Sequence, residues 1–540
     1  MTMILSDEFA SRASVTFRAP ERASALIATP AYEGGSQTSR ELSGWNTSLR
    51  SPDNEILPSR NKIVANARDL VRNNGWAVGG VDRKADAVVG ASIRLEARPD
   101  FEALGQTADW GDEWATATEA KFRTWANDSR MLCDVERSFQ FGGLVRLAYQ
   151  HYLTDGEAAA PIYWLERGGR FATAVNVIDP DRLENRNNAP DSDTLRGGVQ
   201  LDAWGAAIAY HIRVGHPNDA SSSLTPLRWE VIPREGPTGR PLFVHVFNKR
   251  RAQQRRGVSS LAPVIKRLKM LDRYDNAELE AALLNAVLAA VITSPYQSED
   301  VAAALAPISD EEIDASAYSQ ARMAYREKNK LFLNGTQISH LFPGEEMKFV
   351  SAERPAAQFS AFESAVLRSI SSALGLSYEQ LSQDWSQINY SSARTLLNEI
   401  WRGFIADRHI FTQAFCTPIY AAWLEEAVMR GEVDIPGGPM AFYRFRSELT
   451  QCAWIGPGRG TIDPKKEQDA ADLAVDGNRS NLAIEASEQG LDYREVLVQR
   501  SREQRLIKKL GIESAPAKAP AASDPNDPGD NPDGSQGQNA

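Results

Sequence analysis

Residues 389–430 read NYSSARTLLNEIWRGFIADRHIFTQAFCTPIYAAWLEEAVMR. Leu396, Leu397, Ile400, Phe404, Phe411, Phe415, Ile419 and Trp423 recur here at helical spacing, which predicts one long helix reaching about Arg430. Pro418 removes a donor and crowds the preceding turn, so a kink is expected there. Just upstream, Gln383-Asp-Trp-Ser-Gln-Ile-Asn-Tyr390 is polar, carries two aromatics and reads as a loop. Before it, Phe359 to Leu374 repeats the amphipathic helical pattern, and so does Leu261 to Val291, closed by Pro295. About thirty residues at 1.5 Å each would make a rod of roughly 45 Å. Between these two helices, Ser309 to Lys330 reads as helical. Leu331–Leu333 and Ile338 to Val350 read as short strands, the latter pair turning at Pro343-Gly344.

The first half has a different rhythm. Ile56-Leu-Pro-Ser-Arg60 reads as a helix start capped by Ser59, with a stop at Asn73-Asn74-Gly75, where Gly75 supplies a left-handed cap. Further helices are expected from Ala77 to Gly90 and near Glu113 to Asn127. Residues 160 to 248 alternate instead, in runs at Ile162–Leu165, Phe171–Ile178, Ile208–Val214 and Leu242–Phe247 punctuated by Gly168-Gly169 and Gly197-Gly198. The chain is therefore α+β. Asp463 with Pro464 opens a last group of short helices. Residues 1 to about 45 read as a tail, and from Ser514 Pro and Gly are too dense to bury a core.

Composition narrows the function. The 540 residues exceed what one core sustains, so several folding units are expected. Sixty basic residues against seventy-one acidic ones give a net charge of −11, unlike a protein gripping nucleic acid with its whole surface. Cys133, Cys416 and Cys452 are too few and too scattered for a disulfide framework or a thiolate zinc site. The most apolar run, Ala281 to Thr293, is too short to cross a bilayer, so no membrane partner is expected. A phosphate-binding G-x-x-x-x-G-K-[ST] loop, a G-x-S-x-G elbow and an H-E-x-x-H helix are all missing, so no catalytic residue, metal or cofactor is assigned. Gly456-Pro-Gly-Arg-Gly460 reads as a rigid turn. The carboxylates Asp310, Glu311, Glu312 and Asp314 read first as an N-terminal cap around Ser309 and Glu312, with excess charge for docking a basic partner; a DNA-processing hydrolase in which they hold magnesium is the rival reading.

One charged feature is out of proportion. Lys249, Arg250, Arg251, Arg255, Arg256, Lys266, Arg267, Lys269 and Arg273 meet a single acid, Asp272, between 249 and 273. A solvated helix face with pairing between subunits is one account; a restricted positive belt facing nucleic acid is the other.

Several strings resemble the lambda-type family of bacteriophage portal proteins. Ser51-Pro-Asp-Asn-Glu-Ile-Leu-Pro58 with Arg68–Asn74 resembles its N-terminal signature, and Gln254-Arg-Arg-Gly-Val-Ser-Ser-Leu-Ala-Pro263 the start of its stem helix. Pro343–Phe349 is similar to its clip strand, Asn389-Tyr-Ser-Ser-Ala-Arg394 to its tunnel-loop exit, and Ile462–Glu467 to the start of its crown. Gln383 stands where a glycine is common and Trp385 where tyrosine is expected.

The resemblance implies a tail at 1–45, a wing at 46–257, a stem helix at 258–293 and a clip at 294–357. A returning stem helix follows at 358–379, a tunnel loop at 380–392, a long wing helix and strands at 393–460, crown helices at 461–513 and an acidic tail at 514–540. It further implies a dodecameric ring at one capsid vertex, made in the host cytoplasm. Such a ring passes double-stranded DNA and meets the terminase large subunit, head-completion or neck proteins, and the major capsid or scaffold protein. On that reading Gln383, Asp384, Trp385, Ser386, Gln387, Ile388, Asn389 and Tyr390 form the tunnel loop. Arg255, Arg256, Lys266, Arg267, Lys269 and Arg273 form the basic belt near the stem. Asp310, Glu311, Glu312, Asp314, Glu345 and Glu346 offer a docking surface on the clip. A scaffold or minor head protein built from similar helices without a central hole is the third alternative.

Overall fold

A computed structural model describes residues 33–36, 39–42, 44–45, 47–217, 228–287, 291–293, 320, 323–324, 330–333, 336–339, 346–348, 356–460 and 463–511. The expected C-terminal tail, most of the N-terminal one, and most of the helix expected at Ser309 to Lys330 lie outside them.

Four helices and a short strand open the body: α1 (Pro52–Asn73), α2 (Gly75–Val88), β1 (Arg94–Ala97), α3 (Ala108–Ala126) and α4 (Phe141–Thr154). The start of α1 differs from expectation. Ser51, not Ser59, is the cap: its hydroxyl accepts from the Asn54 amide, and Pro52 stands in the first turn, where a missing N–H costs nothing. Pro58 is thereby carried inside the helix. The junction at Asn73–Gly75 also departs from the expected left-handed glycine cap. Asn74 is extended, ends α1 through its backbone N–H to Leu70, and caps α2 by accepting from Ala77.

The β-rich stretch forms two antiparallel sheets. In one, β2 (Glu157–Trp164) is flanked by β3 (Thr173–Val175) and β8 (Phe243–Phe247). The other runs in order through β4 (Leu195–Arg196), β5 (Val199–Leu201), β6 (Ala207–Arg213) and β7 (Trp229–Pro233). Tyr210 stacks on Phe243 at 4.2 Å and joins the two.

Helix α5 spans Ile265–Val287, about 34 Å rather than 45 Å. The β-branched Val291-Ile292-Thr293 does not extend it. These residues form β9 and pair with β12 (Glu346–Lys348), as their strand propensity favours. Between them in sequence, β10 (Lys330–Leu333) pairs with β11 (Thr336–Ser339). The strand pair expected within Ile338 to Val350, turning at Pro343-Gly344, is thus replaced: β11 pairs with β10 and β12 with β9, and Asn334-Gly335, a dipeptide suited to two-residue hairpins, separates β10 from β11.

Next come α6 (Ala356–Leu374), α7 (Tyr378–Ser382) and α8 (Tyr390–Met429). Helix α8 is forty residues long and continues through Pro418. Phe411, Phe415, Ile419 and Trp423 are fully buried on both sides of that proline and hold the helix in place. Phe122 and Phe141 from the first helices meet edge-on at 5.5 Å, and Phe122 meets Trp423 at 5.1 Å, so α8 forms the centre of one continuous core. A short α9 (Arg446–Leu449) leads to β13 (Cys452–Ile455), which pairs with β1. The chain closes with α10 (Pro464–Asp476), capped by Asp463 as expected, then α11 (Leu482–Glu488) and α12 (Tyr493–Leu510).

Candidate nucleic-acid interface

The basic run splits into two populations. Glu157, the first residue of β2, is completely buried, and a carboxylate there needs cations. Arg256 supplies one: its Nε donates to both carboxylate oxygens at 2.9 and 3.0 Å, and its other nitrogens reach the carbonyls of Leu183 (2.8 Å) and Pro180 (3.0 Å). Arg60 donates from α1 at 2.7 Å, the Gly257 amide donates at 2.8 Å, and His245 Nε2 lies 3.1 Å away. Burial alone would raise the Glu157 pKa, but Arg256 and Arg60 overcome it and hold the carboxyl well below its usual range. Burial lowers the His245 pKa despite its acidic neighbour.

Arg256 is therefore a correction to the expected belt. It is 3% exposed and committed to the interior. Arg255 follows it in part: its backbone N–H donates to buried Asp53 at 3.2 Å and its guanidinium lies 3.6 Å from the same carboxylate. Gln254 braces the segment, accepting from the Arg250 amide at 3.0 Å and donating to the Arg256 carbonyl at 2.8 Å. Gly156 and Gly257 make this possible, since a Cβ on Gly257 would lie 2.0 Å from the Gly156 carbonyl. The Gln254–Ser259 string is a buried strap, with Arg251 paired outside it to Glu55.

The other four cations remain at the surface. Val264, Leu268 and Leu271 take the buried side of the helix, leaving Lys266, Arg267, Lys269 and Arg273 exposed on α5. Lys266, Lys269 and Arg273 repeat at i, i+3 and i+7 and share one face. Arg267 contacts Ser369 of α6, Lys269 lies 3.4 Å from Asp272, and Tyr274 meets Phe362 edge-on at 5.2 Å.

The aromatic loop is shorter than the expected 380–392, because both ends are capped. Ser377 and Gln380 form a reciprocal capping box that starts α7, and Asn389 accepts from Ser392 at 2.9 Å to start α8, so Tyr390 already belongs to the helix. Both caps are visible in the sequence as Ser-x-x-Gln and Asn-x-x-Ser. Gln383 is left-handed (φ 59°), the conformation glycine adopts most easily. The Ser386 hydroxyl, and after it the Ser386 amide donating at 3.0 Å, lower the Asp384 pKa, and Trp385, Ser386 and Gln387 stand exposed beside half-buried Ile388. Asp310, Glu311, Glu312, Asp314 and Glu345 lie outside the described residues. Glu346 begins β12.

A second charge cluster was not anticipated. Arg68 donates to Asp155 at 2.7 Å and to Asp179 and Asp181 at 2.8 Å each, joining α1 to the end of α4 and to the turn after β3. His216 lies 3.6 Å from Asp181. Among the described residues, Asp179, Asp181 and His216 are close enough to share a cation, and the Arg68 guanidinium already stands among their carboxylates. The Gly456–Gly460 turn is packed: a Cβ on Gly456 would strike the Arg408 guanidinium at 2.5 Å and one on Gly458 the Gln489 backbone at 2.3 Å. Arg408 donates to the carbonyls of Val88 (2.7 Å), Ala87 (3.0 Å) and Pro457 (2.9 Å), tying α8 to the end of α2, and burial lowers its pKa to about 10.

Comparison with known proteins is consistent with the strings noted above. Portal protein B of Escherichia phage lambda is 32% identical over 495 residues, 91% of this chain and 92% of that one, and the portal protein of Escherichia phage N15 matches equally. A probable portal protein of Halomonas phage phiHAP-1 is 26% identical over 86% of this chain and 84% of its own. Among solved structures, the neck of a native gene transfer agent particle, computed with C12 symmetry, aligns with a TM-score of 0.40 at 13% identity, covering 81% of this chain and 99% of that one. The phage portal protein signature of the lambda family matches residues 38–408. The chain thus belongs to the lambda family of phage portal proteins, structural proteins that work as oligomeric rings in the capsid.

Proposed function

We propose that twelve copies close into a ring at one capsid vertex and form the conduit through which double-stranded DNA enters and leaves the head. The stem helices, α5 and α6, and the loop Gln383–Asn389 line the passage in this reading. Support comes from charge. Twelve chains at −11 give 12 × −11 = −132. DNA carries about one negative charge per 1.7 Å, so most of such a ring repels it and only a restricted positive row holds it. The observation that carries the assignment is the surface row Lys266, Arg267, Lys269 and Arg273, which stays exposed after Arg255 and Arg256 turn inward. A brief, salt-sensitive hold suits a passage in which tight binding would stall translocation.

Trp385 presses on the DNA backbone or on the adjacent loop. The acidic residues Asp310, Glu311, Glu312, Asp314, Glu345 and Glu346 face the terminase large subunit during packaging and neck proteins afterwards, while the outer body meets the major capsid or scaffold protein. The ring has no turnover of its own. Negative-stain images of purified protein should show rings with a hole of duplex width. Replacing Lys266, Arg267, Lys269 and Arg273 with Gln should leave the rings intact and lower DNA retention most at low salt. Retention unchanged across a salt series would refute the row's role.

A further inference from the structure

The last three helices are amphipathic yet bury nothing. No residue of α10, α11 or α12 is buried, and every residue from Val496 to Gly511 is exposed. A few polar contacts fasten them to the body: Arg459 lies 3.6 Å from Glu467 of α10 and its amide donates to the Glu488 carbonyl of α11 at 3.1 Å, while on α12 Glu495 lies 3.0 Å from Arg94 and also meets Arg123, and Arg494 pairs with Asp112. Beyond that the helix runs roughly 20 Å into solvent. Val496, Leu506, Ile507 and Leu510 share one face with the hydrogen-bonded pair Gln499 and Glu503, and Leu510 is 62% exposed. Leu473 on α10 and Leu482 and Ile484 on α11 are likewise exposed. Helices of seven and thirteen residues are marginal in water without tertiary packing, so a surface must cover them.

Charge identifies that surface. From Asp463 to Glu488 there are seven acids and three bases, a net −4. From Val496 to Leu510 there are five bases and one acid, a net +4. The bases flank the apolar stripe, Arg500 along one edge and Arg502 and Lys509 along the other. One unit thus carries an acidic apolar patch and a separate basic apolar patch. Two different, mutually complementary patches on one chain are what head-to-tail closure of a ring requires. DNA is a poorer occupant, because the apolar stripe gains nothing from phosphate and the acidic pair repels it.

We infer that α12 of each copy packs across α10 and α11 of the next, so that these helices form a continuous collar of intersubunit contacts. The inference rests on the ring reading above and adds which surfaces meet. Its test uses the full chain. Leu506→Glu with Leu510→Glu alters only exposed side chains, so the protomer folds as before. Ring dissociation is followed by native mass spectrometry on dilution. The variant should dissociate at about tenfold or more higher concentration than the parent. A charge reversal, Arg502→Glu with Lys509→Glu, should weaken the ring similarly, and Asp469→Lys with Asp472→Lys on the same chain should restore part of the loss. Parental ring stability in the apolar variant overturns the inference, as does charge reversal that lowers DNA retention while ring stability is unchanged, which makes DNA the occupant. A parent chain that stays monomeric in assembled particles would instead sink the ring reading itself.

Discussion

Replacing Arg256 with Gln separates an interior role from a DNA-facing one. The side chain forms three contacts with Glu157 at 2.5–3.0 Å and further bonds to three carbonyls, at 3% exposure. Removing one partner of such a buried pair costs about 3–5 kcal/mol, because the remaining charge is stranded. Here Arg60 and the Gly257 amide stay with Glu157, which favours the lower end, while a glutamine restores at most two of the lost donors. About 3 kcal/mol is therefore expected, a large share of the 5–15 kcal/mol typical of a domain. Urea unfolding at fixed protein concentration measures it, with Lys269→Gln as the exposed control expected within about 0.5 kcal/mol of the parent. Arg256→Lys should not rescue, because a lysine cannot fork. The pH dependence has a defined sign. Glu157 has a depressed pKa, so its stabilising charge is present above the ordinary carboxylate value and lost as pH falls through the depressed one. Without Arg256 that pKa rises, and acid unfolding should start at a higher pH. Equal urea midpoints for Arg256→Gln and Lys269→Gln would refute the reasoning.

Arg408→Ala should cost about 2–4 kcal/mol in the same assay, since the Ala87 and Val88 carbonyls at the end of α2 and the Pro457 carbonyl lose a charged donor. Gln383→Gly should be neutral or stabilising by up to about 1 kcal/mol because it relieves a left-handed residue, whereas Gln383→Val should destabilise. Glu119, buried and accepting from the Ala97 amide at 2.8 Å, has its pKa pushed up to about 7, chiefly by burial. Its favourable contribution is thus full below about 4.5 and disappears as pH rises through 7, so Glu119→Gln should gain stability over the parent between pH 5 and 8, checked by urea midpoints at both.

The long helices were legible because their stripes repeat over many turns, as in α8. The strings that resemble the family owe their character to local chemistry: Ser51-Pro52, Asn389–Ser392 and Asp463-Pro464 are caps, and Gln254–Ser259 is a strap closed by Gly156 and Gly257. Long-range pairing was not legible. Nothing local to Val291–Thr293 announces Glu346–Lys348 as its partner, and α4 was missed because Gly142 and Gly143 at its start mimic a turn. Arg256 misled for a simple reason. A run of positive charge is counted from sequence alone, while the buried acid that claims one member of it, Glu157, lies ninety-nine residues away.

The central position of α8 has a consequence for synthesis. Phe122 and Trp125 leave the ribosome about three hundred residues before Trp423, the side chain that covers them. At about 5–20 residues per second, that aromatic surface waits roughly 15–60 s for its lid. Nascent chains are sticky throughout this interval, and a message truncated before residue 404 should yield aggregates instead of a smaller soluble fragment.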